Sequence, residues 1–546
     1  MRPLVGAVLV LAACGAPTVG LDGGSDPGDA GAVMADAGSL ADAGSASDAG
    51  ALSDAGSVFD AGSVIDAGAL ASDGGATSED AGSVLDAGLL DGGALSEDAG
   101  SVLDAGLVND GGVLPVSDGG ALSEDAGSVL DAGPSDGGVL GDGGAAQDAG
   151  GSPVDSGAAD AGPFVDACAS QMAACPAMPS ITEGGGLRAI NRCAFPMGLA
   201  AGSFGNTALL DALALRTTPV TVAQLVADTN RVATQTTMAP GNPPGLAYAF
   251  RWNMEDDTST TWIPQGITGS ADATASGLWA GRRVVLVSWY EDAGLQKGVR
   301  IAFVDVTTPS APRYRFALLV QPTGTPAAPS FTQVDAHAGG MVWFGSYLYM
   351  AQTGSGFRVF DLTRVMQVAT DLDVMGCTAT TCRAGLYKYV LPQVAAYTDL
   401  SSCNPLFSWV SLDRASSPPA LVSGEYCSGT ACSAPLAGRV FHWPLDAATG
   451  RLRGATTWPT FAAYMGHRQV QGGAFRAGVT WLSSSAPPAG AGALYTVNAT
   501  RGLTSQFIDA PEDLMVDEAN GVLWSQSEGA GDRVVVAVRF TSYPLP

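Results

Sequence analysis

Five polar residues in the second half of the chain have the types and the spacing needed to build a ligand site. Gln265, Gln471 and Glu512 occupy the same place in segments that align with one another, Asp513 follows Glu512, and His337 stands just ahead of a further such segment. Amide, carboxyl and imidazole groups that converge could bind a sugar, another small polar ligand or a divalent cation such as calcium. The simpler interpretation is that these side chains cap exposed strand ends and hydrogen-bond to neighbouring repeats.

Recognised catalytic motifs are missing from the same part of the sequence. It contains no Gly-x-Ser-x-Gly elbow, no phosphate-binding glycine loop, no His-Glu-x-x-His and no Cys-x-x-Cys. No cofactor and no catalytic residue are therefore predicted, and the leading hypothesis is a module that binds a protein or a glycan. The alternative is a metal-assisted lyase or hydrolase that uses Glu512 and His337. His442 lies between aromatic residues and is predicted to be packed, whereas His467 is a second-rank site candidate near Gln471.

The elements that must position these residues repeat along the chain. Each repeat has a short first strand, a turn, a strand that ends in small polar residues, a loop and an apolar third strand. Strong copies begin at Pro264, Ala338, Val470 and Pro511, and a weaker copy begins at Phe407. A unit of about 40 residues with three or four strands is typical of a β-propeller blade. The sequence therefore predicts an all-β domain over 241–546, a β-propeller of about five or six blades, with a β-sandwich or mixed all-β domain as the alternative.

Two stretches of the repeats resemble known bacterial propellers. The segment Val304-Asp-Val-Thr-Thr-Pro-Ser-Ala-Pro-Arg-Tyr314 resembles the blade end of LVIVD-type propellers. The string from His337 to Met350, together with Phe357-Arg-Val-Phe-Asp-Leu362, is similar to a group of uncharacterised secreted propeller proteins. The resemblance implies a propeller from about Pro240 onward and carries no known activity.

Residues 167–240 are predicted to form a cysteine-containing helical lead-in. Thr218-Pro219 is typical of a helix start with proline at the first helical position. Val222, Leu225, Val226 and Val232 then follow the spacing of one helical face. The sequence therefore predicts a helix that begins at this Thr-Pro pair.

Eight cysteines follow the N-terminal segment, and an even number predicts disulfides in an exported protein. Cys377 and Cys382 have the same spacing as Cys427 and Cys432, with small residues between the partners, and each pair is expected to close on itself. A thiolate metal site is the alternative, but it would usually need a nearby histidine, which the sequence lacks. Connectivity is left open for the other four cysteines, namely Cys168, Cys175, Cys193 and Cys403.

The first residues predict export. One positive charge, a short apolar run and small residues precede Cys14, so residues 1–13 read as a signal peptide. Leu11-Ala-Ala-Cys-Gly15 resembles the lipobox of bacterial lipoproteins, in which the cysteine receives a lipid and anchors the protein to a membrane. Gly15 stands where aspartate often marks retention at the inner membrane, which favours the outer membrane or the cell surface. An ordinary secretory signal with a chance cysteine is the alternative.

Residues 14–166 are predicted to be a disordered acidic linker. Asp36, Asp42, Asp48 and Asp54 fall at six-residue intervals, each followed by Ala-Gly, and aromatic residues are nearly absent. Little apolar surface offsets the chain entropy, and like charges repel. A coil of ~150 residues would span on the order of 60–70 Å. A repeat solenoid, which could ligate calcium through its aspartates, is the alternative.

The charge of the chain is divided between its two parts. No Lys, Arg or His occurs between Arg2 and Arg188, and more than half of the 53 acidic residues precede Arg188, so the net charge of -28 belongs to the N-terminal part. The remainder is nearly neutral and has no basic patch that would follow phosphates, which argues against nucleic acid as a partner.

Overall fold

The structure, a computed structural model, describes residues 166–171, 173–428, 432–485 and 492–546. Cys14, the predicted signal peptide over 1–13 and nearly all of the predicted linker over 14–166 lie outside these residues. The boundaries drawn from the sequence for the signal peptide, the linker and the lead-in stay predictions. Among the helices of the described residues, none has the length and apolar character needed to cross a membrane.

The chain forms a β-propeller of five blades, as the repeats predict. Each blade is an antiparallel sheet of four strands. From the innermost to the outermost strand, blade 1 is Trp262–Gly269, Val284–Glu291, Val299–Asp305 and Arg313–Thr325. Blade 2 is Met341–Phe344, Tyr347–Gln352, Gly356–Asp361 and Tyr389–Asp399. Blade 3 is Phe407–Asp413, Ala420–Glu425, Arg439–Asp446 and Phe461–Tyr464. Blade 4 is Val470–Arg476, Val479–Ser484, Ala493–Val497 and Gly502–Gln506. Blade 5 is Met515–Asp517, Val522–Gln526, Val534–Arg539 and Leu246–Arg251.

The five innermost strands form a closed ring, because each contacts the innermost strands of both neighbouring blades. The cores lie between blades: Leu286 and Ile301 of blade 1 pack with Trp343 and Leu348 of blade 2. Strands packed on both faces read as continuous apolar runs rather than as alternating ones. Two strand boundaries were predicted wrongly. The innermost strand of blade 2 begins at Met341 rather than at Ala338. The innermost strand of blade 5 begins at Met515, because the preceding residues 511–514 cross over from blade 4.

The two ends of the propeller sequence close the ring together. Leu246–Arg251, which precedes blade 1 in the chain, supplies the outermost strand of blade 5. Its partner is Val534–Arg539, with Val536 opposite Ala249. The last blade is therefore complete only when a segment from the start of the propeller has joined it.

Helix α1 spans Thr207–Ala214, α2 spans Val222–Ala227, α3 spans Met254–Thr258 and α4 spans Ser270–Ala273. Helix α3 follows the closing strand and carries two carboxylates that hold blade 5 to blade 1, here called the closure latch. Asp256 Oδ1 lies 3.0 Å from Arg300 Nη2 of blade 1, and Asp256 Oδ2 accepts a hydrogen bond from the hydroxyl of Tyr314 at 2.6 Å. Asp257 Oδ1 accepts from the backbone N–H of Arg533 in blade 5 at 2.8 Å.

The predicted helix at Thr218-Pro219 is displaced. Thr218–Val220 is a strand that pairs with Val365–Gln367, and α2 begins only at Val222. Thr221 caps this helix, because its hydroxyl accepts from Gln224 N while the Gln224 side chain accepts from Thr221 N. The capping box therefore determines the helix start, and Pro219 lies in the preceding strand.

Short elements complete the described residues. The remaining strands are Arg188–Ala189, Met197–Leu199, Arg231–Val232, Thr234–Gln235, Ala328–Gln333, Met375–Cys377, Cys382–Ala384, Arg451–Leu452 and Thr456–Thr457. Single 3-10 turns occur at Ala167–Ser170, Arg192–Ala194, Leu362–Arg364 and Phe540–Ser542. Most of the strands before residue 240 add to the outer edges of blades, so the lead-in wraps the propeller rather than forming a helical unit of its own.

All eight of these cysteines are paired in disulfides. Cys377 with Cys382 and Cys427 with Cys432 close the two small loops, as the spacing predicts. Cys168 pairs with Cys193 inside the lead-in, and Cys175 pairs with Cys403. The last bond ties the lead-in to the connection between blades 2 and 3.

Candidate functional site

The candidate residues lie at the end of the ring where the innermost strands begin. Two kinds of connection meet at this end, namely the loops that enter each innermost strand and the loops between second and third strands, because strand direction alternates within a blade. Gln265 and Gln471 lie near the starts of the innermost strands of blades 1 and 4, and Glu512 lies in the loop that enters the innermost strand of blade 5. Asp292 and Glu528 come from the second kind, in blades 1 and 5. We call the area that these loops surround at the end of the ring the recess.

Hydrogen bonds join the predicted glutamines to carboxyl groups of blade 5. Gln471 Nε2 of blade 4 donates to Glu512 Oε1 at 3.1 Å. Gln265 Nε2 of blade 1 donates to Glu528 Oε2 at 3.1 Å. Each pair crosses a blade boundary, so the glutamines do cap neighbouring blades and also hold two carboxyl groups in place at the recess.

Both of these carboxyl groups have raised pKa values. Glu512 is only 1% exposed, and burial raises its pKa well above the usual value, with the negative charges of Glu528 and Asp513 adding to the shift. Burial also raises the pKa of Glu528, against the hydrogen bond from Gln265. Burial therefore favours the protonated form of Glu512, which can donate a hydrogen bond.

Asp513 lies in the floor of the recess and is fully buried. Its Oδ2 accepts hydrogen bonds from Ile267 N of blade 1 at 3.1 Å and from Met341 N at the start of blade 2 at 3.2 Å. A single side chain of blade 5 thus joins three blades. Its other oxygen, Oδ1, is buried and has no hydrogen-bond partner among the described residues.

Glycines bring the inner strands close together at the level of this floor. A Cβ on Gly340 would lie 2.2 Å from Val410 N of the next blade, and one on Gly472 would lie 2.5 Å from the Cα of Asp513. Backbone groups therefore fill the space where side chains would otherwise stand. The recess ends at this layer of close contacts.

Aromatic side chains line the wall of the recess. The rings of Tyr290 and His337 lie 4.3 Å apart between their centroids. Burial raises the pKa of Tyr290, and the charges of Asp292, Glu528 and Glu512 raise it further. Burial lowers the pKa of His337, so its imidazole is neutral at neutral pH.

A second phenol stands on the blade 3 side of the recess. The hydroxyl of Tyr426 accepts a hydrogen bond from Gln469 Nε2 at 3.0 Å. Burial raises the pKa of Tyr426, and the charges of Glu512 and Glu528 act in the same direction. Tyr426 immediately precedes the Cys427 loop, so that disulfide lies at the rim of the recess.

The opposite end of the ring carries a separate buried carboxyl group. Asp272 of helix α4 is 3% exposed and accepts a hydrogen bond from Thr268 Oγ1 at 2.7 Å. Burial raises the pKa of Asp272 to about 7, against this hydrogen bond, and the charge of Asp517 adds to the shift. Asp272 lies in the connection after the innermost strand of blade 1 and is not part of the recess.

The structure brings together Gln265, His337, Gln471, Glu512 and Asp513 around one end of the ring, and it separates the two other histidines from them. His442 is packed between Phe461 and Phe475, as predicted. His467 is buried against Tyr495, with its centroid 4.2 Å away, so it does not line the recess.

Sequence alignment of the repeats missed Glu528, Tyr290 and Tyr426. Tyr290 lies at the end of the second strand of blade 1, and Tyr426 and Glu528 follow the second strands of blades 3 and 5, where the connections differ in length. The only available signal was their position at or just after the end of an apolar strand. Among the described residues, no group of three or more His, Cys, Asp or Glu side chains has the arrangement of a metal site. The arrangement offers polar groups that can recognise a polar ligand, and burial favours the protonated form of Glu512.

Comparison with known proteins gives no family. No family description matches the sequence, and no curated protein does. Among solved structures, a GH43_1 enzyme from Xanthomonas citri is 9% identical over 61% of this chain and 92% of its own, with a TM-score of 0.24. A gluconolactonase from Xanthomonas campestris is 12% identical over 56% and 88%, with a TM-score of 0.26. Hydrazine synthase of Kuenenia stuttgartiensis is 11% identical over 52% and 88%, also with a TM-score of 0.26. These similarities carry no argument about function.

Proposed function

We propose that this protein is a membrane-displayed propeller that binds a glycan in the recess. One observation carries the proposal: the recess combines carboxyl groups held by cross-blade hydrogen bonds with the aromatic wall formed by Tyr290 and His337. Sugars are recognised by polar groups that bond their hydroxyls and by aromatic rings that cover their apolar faces.

The polar character of the recess favours a glycan over a folded protein partner. A stable protein interface buries about 800 Å² on each side and is centred on exposed apolar residues. The recess instead presents polar side chains around a floor in which Glu512 and Asp513 are almost wholly buried. Polar groups of this kind suit the hydroxyls of a chain end or a short segment of a glycan.

The N-terminal part supplies the proposed location. Lipid on Cys14 would hold the protein on the outer membrane or the cell surface, and the acidic segment over 14–166 would separate the propeller from the lipid. The absence of aspartate at Gly15 supports this destination. A glycan receptor gains from such reach because its ligands lie beyond its own membrane.

The binding proposal can be tested with the full-length protein purified in detergent on an array of glycans. We expect selective binding that Gln471→Ala weakens by about tenfold, because Glu512 then loses the group that positions it. Gln506→Ala is the matched control, since Gln506 is exposed on the outermost strand of the same blade. Failure of the wild-type protein to bind any glycan would exclude this function.

A glycosidase is the second candidate function, and the raised pKa of Glu512 beside a second carboxyl group favours it. A protonated carboxylic acid with a neighbouring carboxylate is the pair that hydrolyses glycosidic bonds. The sharp test is the release of new reducing ends from a glycan that the array identifies. Glu512→Gln should abolish the release while binding persists, and a wild-type protein that binds without cleaving would leave only the binding function.

A further inference from the structure

Four polar side chains come together on the outer part of the boundary between blades 1 and 2. Arg358 lies in the third strand of blade 2, Gln352 ends its second strand, and Gln393 lies in its outermost strand. Gln321 comes from the outermost strand of blade 1, which runs parallel beside the outermost strand of blade 2. We call these four residues the glutamine cluster. Their side chains make no hydrogen bond to the residues of the recess.

A β-bulge places Gln393 on the same face of blade 2 as Arg358. Arg358 lies opposite Ala396, which is three residues from Gln393, and residues three apart on a regular strand point to opposite faces. The register shifts between Val359 and Phe360, so that Phe360 lies opposite Gln393. Because Arg358 and Phe360 share a face, the shift turns Gln393 toward the guanidinium group. Bulges commonly redirect a side chain in this way.

The guanidinium group of Arg358 engages the oxygens of all three glutamines. Its Nε donates to Gln352 Oε1 at 2.6 Å, and its Nη1 donates to Gln393 Oε1 at 2.7 Å and, more weakly, to Gln321 Oε1 at 3.5 Å. A guanidinium group has donors and no acceptor, so each amide must turn its oxygen toward it and its NH₂ group away. One charged side chain therefore sets the orientation of three amides.

The remaining donors of the cluster are free to bind a ligand. Nε2 of each glutamine and Nη2 of Arg358 have no hydrogen-bond partner in the part of the chain that the structure describes. These nitrogens of Gln352, Gln393 and Arg358 are not shielded from solvent, and Gln321 is an exposed residue. Three amide nitrogens and one guanidinium nitrogen are thus available as donors.

No bonded carboxylate neutralises the charge of Arg358. Among the described residues it forms no ion pair, and the charge of Asp335 acts on it without a hydrogen bond. Burial raises the pKa of Asp335, with the charge of Glu291 acting in the same direction and that of Arg358 against it, which weakens Asp335 as a counterion. The bonded partners of Arg358 are neutral amides, so its charge can still attract an anion.

We propose that the glutamine cluster binds the carboxylate of a uronic acid residue in an acidic glycan. The inference goes beyond the function proposed for the recess and concerns a separate site. Nη2 of Arg358 would donate a charge-assisted hydrogen bond to the carboxylate. The amide nitrogens, spread over strands of two blades, would donate to the hydroxyl and ring oxygens of the sugar.

The same arrangement disfavours other sugars. A neutral sugar cannot use the charge of Arg358, and an amino sugar would bring a second positive charge against it, which opposes binding. A bare anion such as sulfate would engage the guanidinium group but would leave the separated amide donors without acceptors. A uronate supplies both the charge and acceptors distributed around a ring.

Calorimetry with the full-length protein in detergent tests the proposal. The probes are a trisaccharide of galacturonic acid, its methyl ester, an acetylated glutamate peptide and inorganic sulfate, at about pH 7, where carboxyl groups are ionised. The ester keeps the size and the hydroxyls of the uronate but has lost its charge. We expect the uronate to bind at least about tenfold more tightly than the ester, with an affinity that falls as salt is added.

Gln393→Glu should lower the affinity for the uronate by at least about tenfold. The variant keeps an oxygen that can accept from Arg358, but it removes a donor and supplies an internal counterion. Because the new carboxylate pairs with Arg358, the urea midpoint should not fall, which separates lost binding from lost folding. Gln235→Glu is the matched control, since Gln235 is exposed in a short strand beside blade 5 and makes no side-chain hydrogen bond to a described residue.

The other outcomes would overturn the proposal in different ways. No binding of the uronate, equal affinity for the uronate and the ester, or an unchanged affinity in Gln393→Glu would show that the cluster is not a uronate site. Sulfate or the glutamate peptide binding as tightly as the uronate would overturn the assignment to glycans. The function of the recess fails separately, if the array shows no glycan whose binding Gln471→Ala weakens.

Discussion

Asp513 shows at the scale of one residue how the ring and the recess depend on each other. One carboxylate oxygen accepts from Ile267 N and Met341 N, which belong to two other blades. A buried backbone N–H without a partner costs about 1–3 kcal/mol. Replacing this side chain by an apolar one would orphan two such groups at the centre of the molecule.

Two substitutions at Asp513 distinguish the contribution of its hydrogen-bond acceptor to stability from the contribution of its charge. Asp513→Ala should lower the free energy of unfolding by about 2–5 kcal/mol, because Ile267 N and Met341 N lose their partner. Asp513→Asn should cost much less, since the amide oxygen can replace Oδ2 and burial already favours the neutral form. Urea denaturation of the full-length variants measures both values, and equal losses would contradict this account.

Asp272 makes stability depend on pH at the opposite end of the ring. Its pKa is about 7 in the folded state against 3.8 for the unperturbed side chain. Between about pH 4 and pH 7 the folded state keeps a proton that the unfolded state releases, so stability falls as the pH rises through this window. Asp272→Asn should become more stable than the wild-type protein across it, by about 2–4 kcal/mol at pH 7.

Denaturation of both proteins at a series of pH values checks this prediction. The difference in unfolding free energy should be near zero at pH 4 and should grow steadily to pH 7. Asp446→Asn is the control, because its backbone hydrogen bonds lower the pKa of that exposed carboxylate, and it should show no gain in this window. A constant difference between Asp272→Asn and wild type would show that Asp272 does not titrate there.

At the scale of elements, the sequence repeats predicted strands more reliably than the connections between them. The apolar runs of the strong copies, which are blades 1, 2, 4 and 5, and of the weak copy at Phe407, which is blade 3, are strands in the structure, because inner strands packed on both faces leave a clear apolar signal. The sequence of the closing strand Leu246–Arg251 did not indicate its partner strand. The two ends of the propeller sequence pair because the whole ring brings them together, and no local pattern records that pairing. Glu528 and Tyr426, which lie in loops of unequal length, could not be aligned either.

The Gly-Gly pairs of the repeats allow the innermost strands to approach one another closely. The Trp409 ring lies between Gly424 and Gly473, and a Cβ on Gly473 would be 2.3 Å from Trp409 Cη2. Gly473→Ala should therefore lower the unfolding free energy by about 1–3 kcal/mol, as overpacking does. Gly529→Ala is the matched control, because a Cβ there meets no atom within 4 Å. Equal urea midpoints for the two variants would contradict this packing.

At the scale of the whole molecule, the ring is closed by one strand pairing and by the closure latch of α3. Asp256 is buried between Arg300, Arg231 and the hydroxyl of Tyr314, which come from blade 1 and from the segment before it. The latch therefore acts where the start and the end of the propeller meet. Loss of the latch should therefore destabilise the whole fold rather than a single blade.

Asp256→Ala tests the latch. Removing one partner from a buried ion pair costs about 3–5 kcal/mol, because the remaining guanidinium keeps its desolvation penalty. We expect a loss of this size in urea denaturation, in a single transition that all spectroscopic probes share. Asp532→Ala is the control, since Asp532 pairs with Arg251 at 3.5 Å but is itself exposed, and it should change stability by less than about 1 kcal/mol. Separate unfolding of blade 5 would contradict a latch that closes the whole ring.

The last prediction concerns how the molecule is held in place. If Cys14 carries the lipid, Cys14→Ser should leave the signal uncut at this site, remove the acyl mass and release the protein from outer-membrane fractions. Gly15→Asp tests the destination separately: the lipid should remain, but the protein should fractionate with the inner membrane. Mass spectrometry and membrane fractionation of both variants measure these outcomes. Acylated Cys14→Ser protein in the membrane would show that the anchor lies elsewhere, whereas an unchanged location for Gly15→Asp would remove only the argument for the outer membrane.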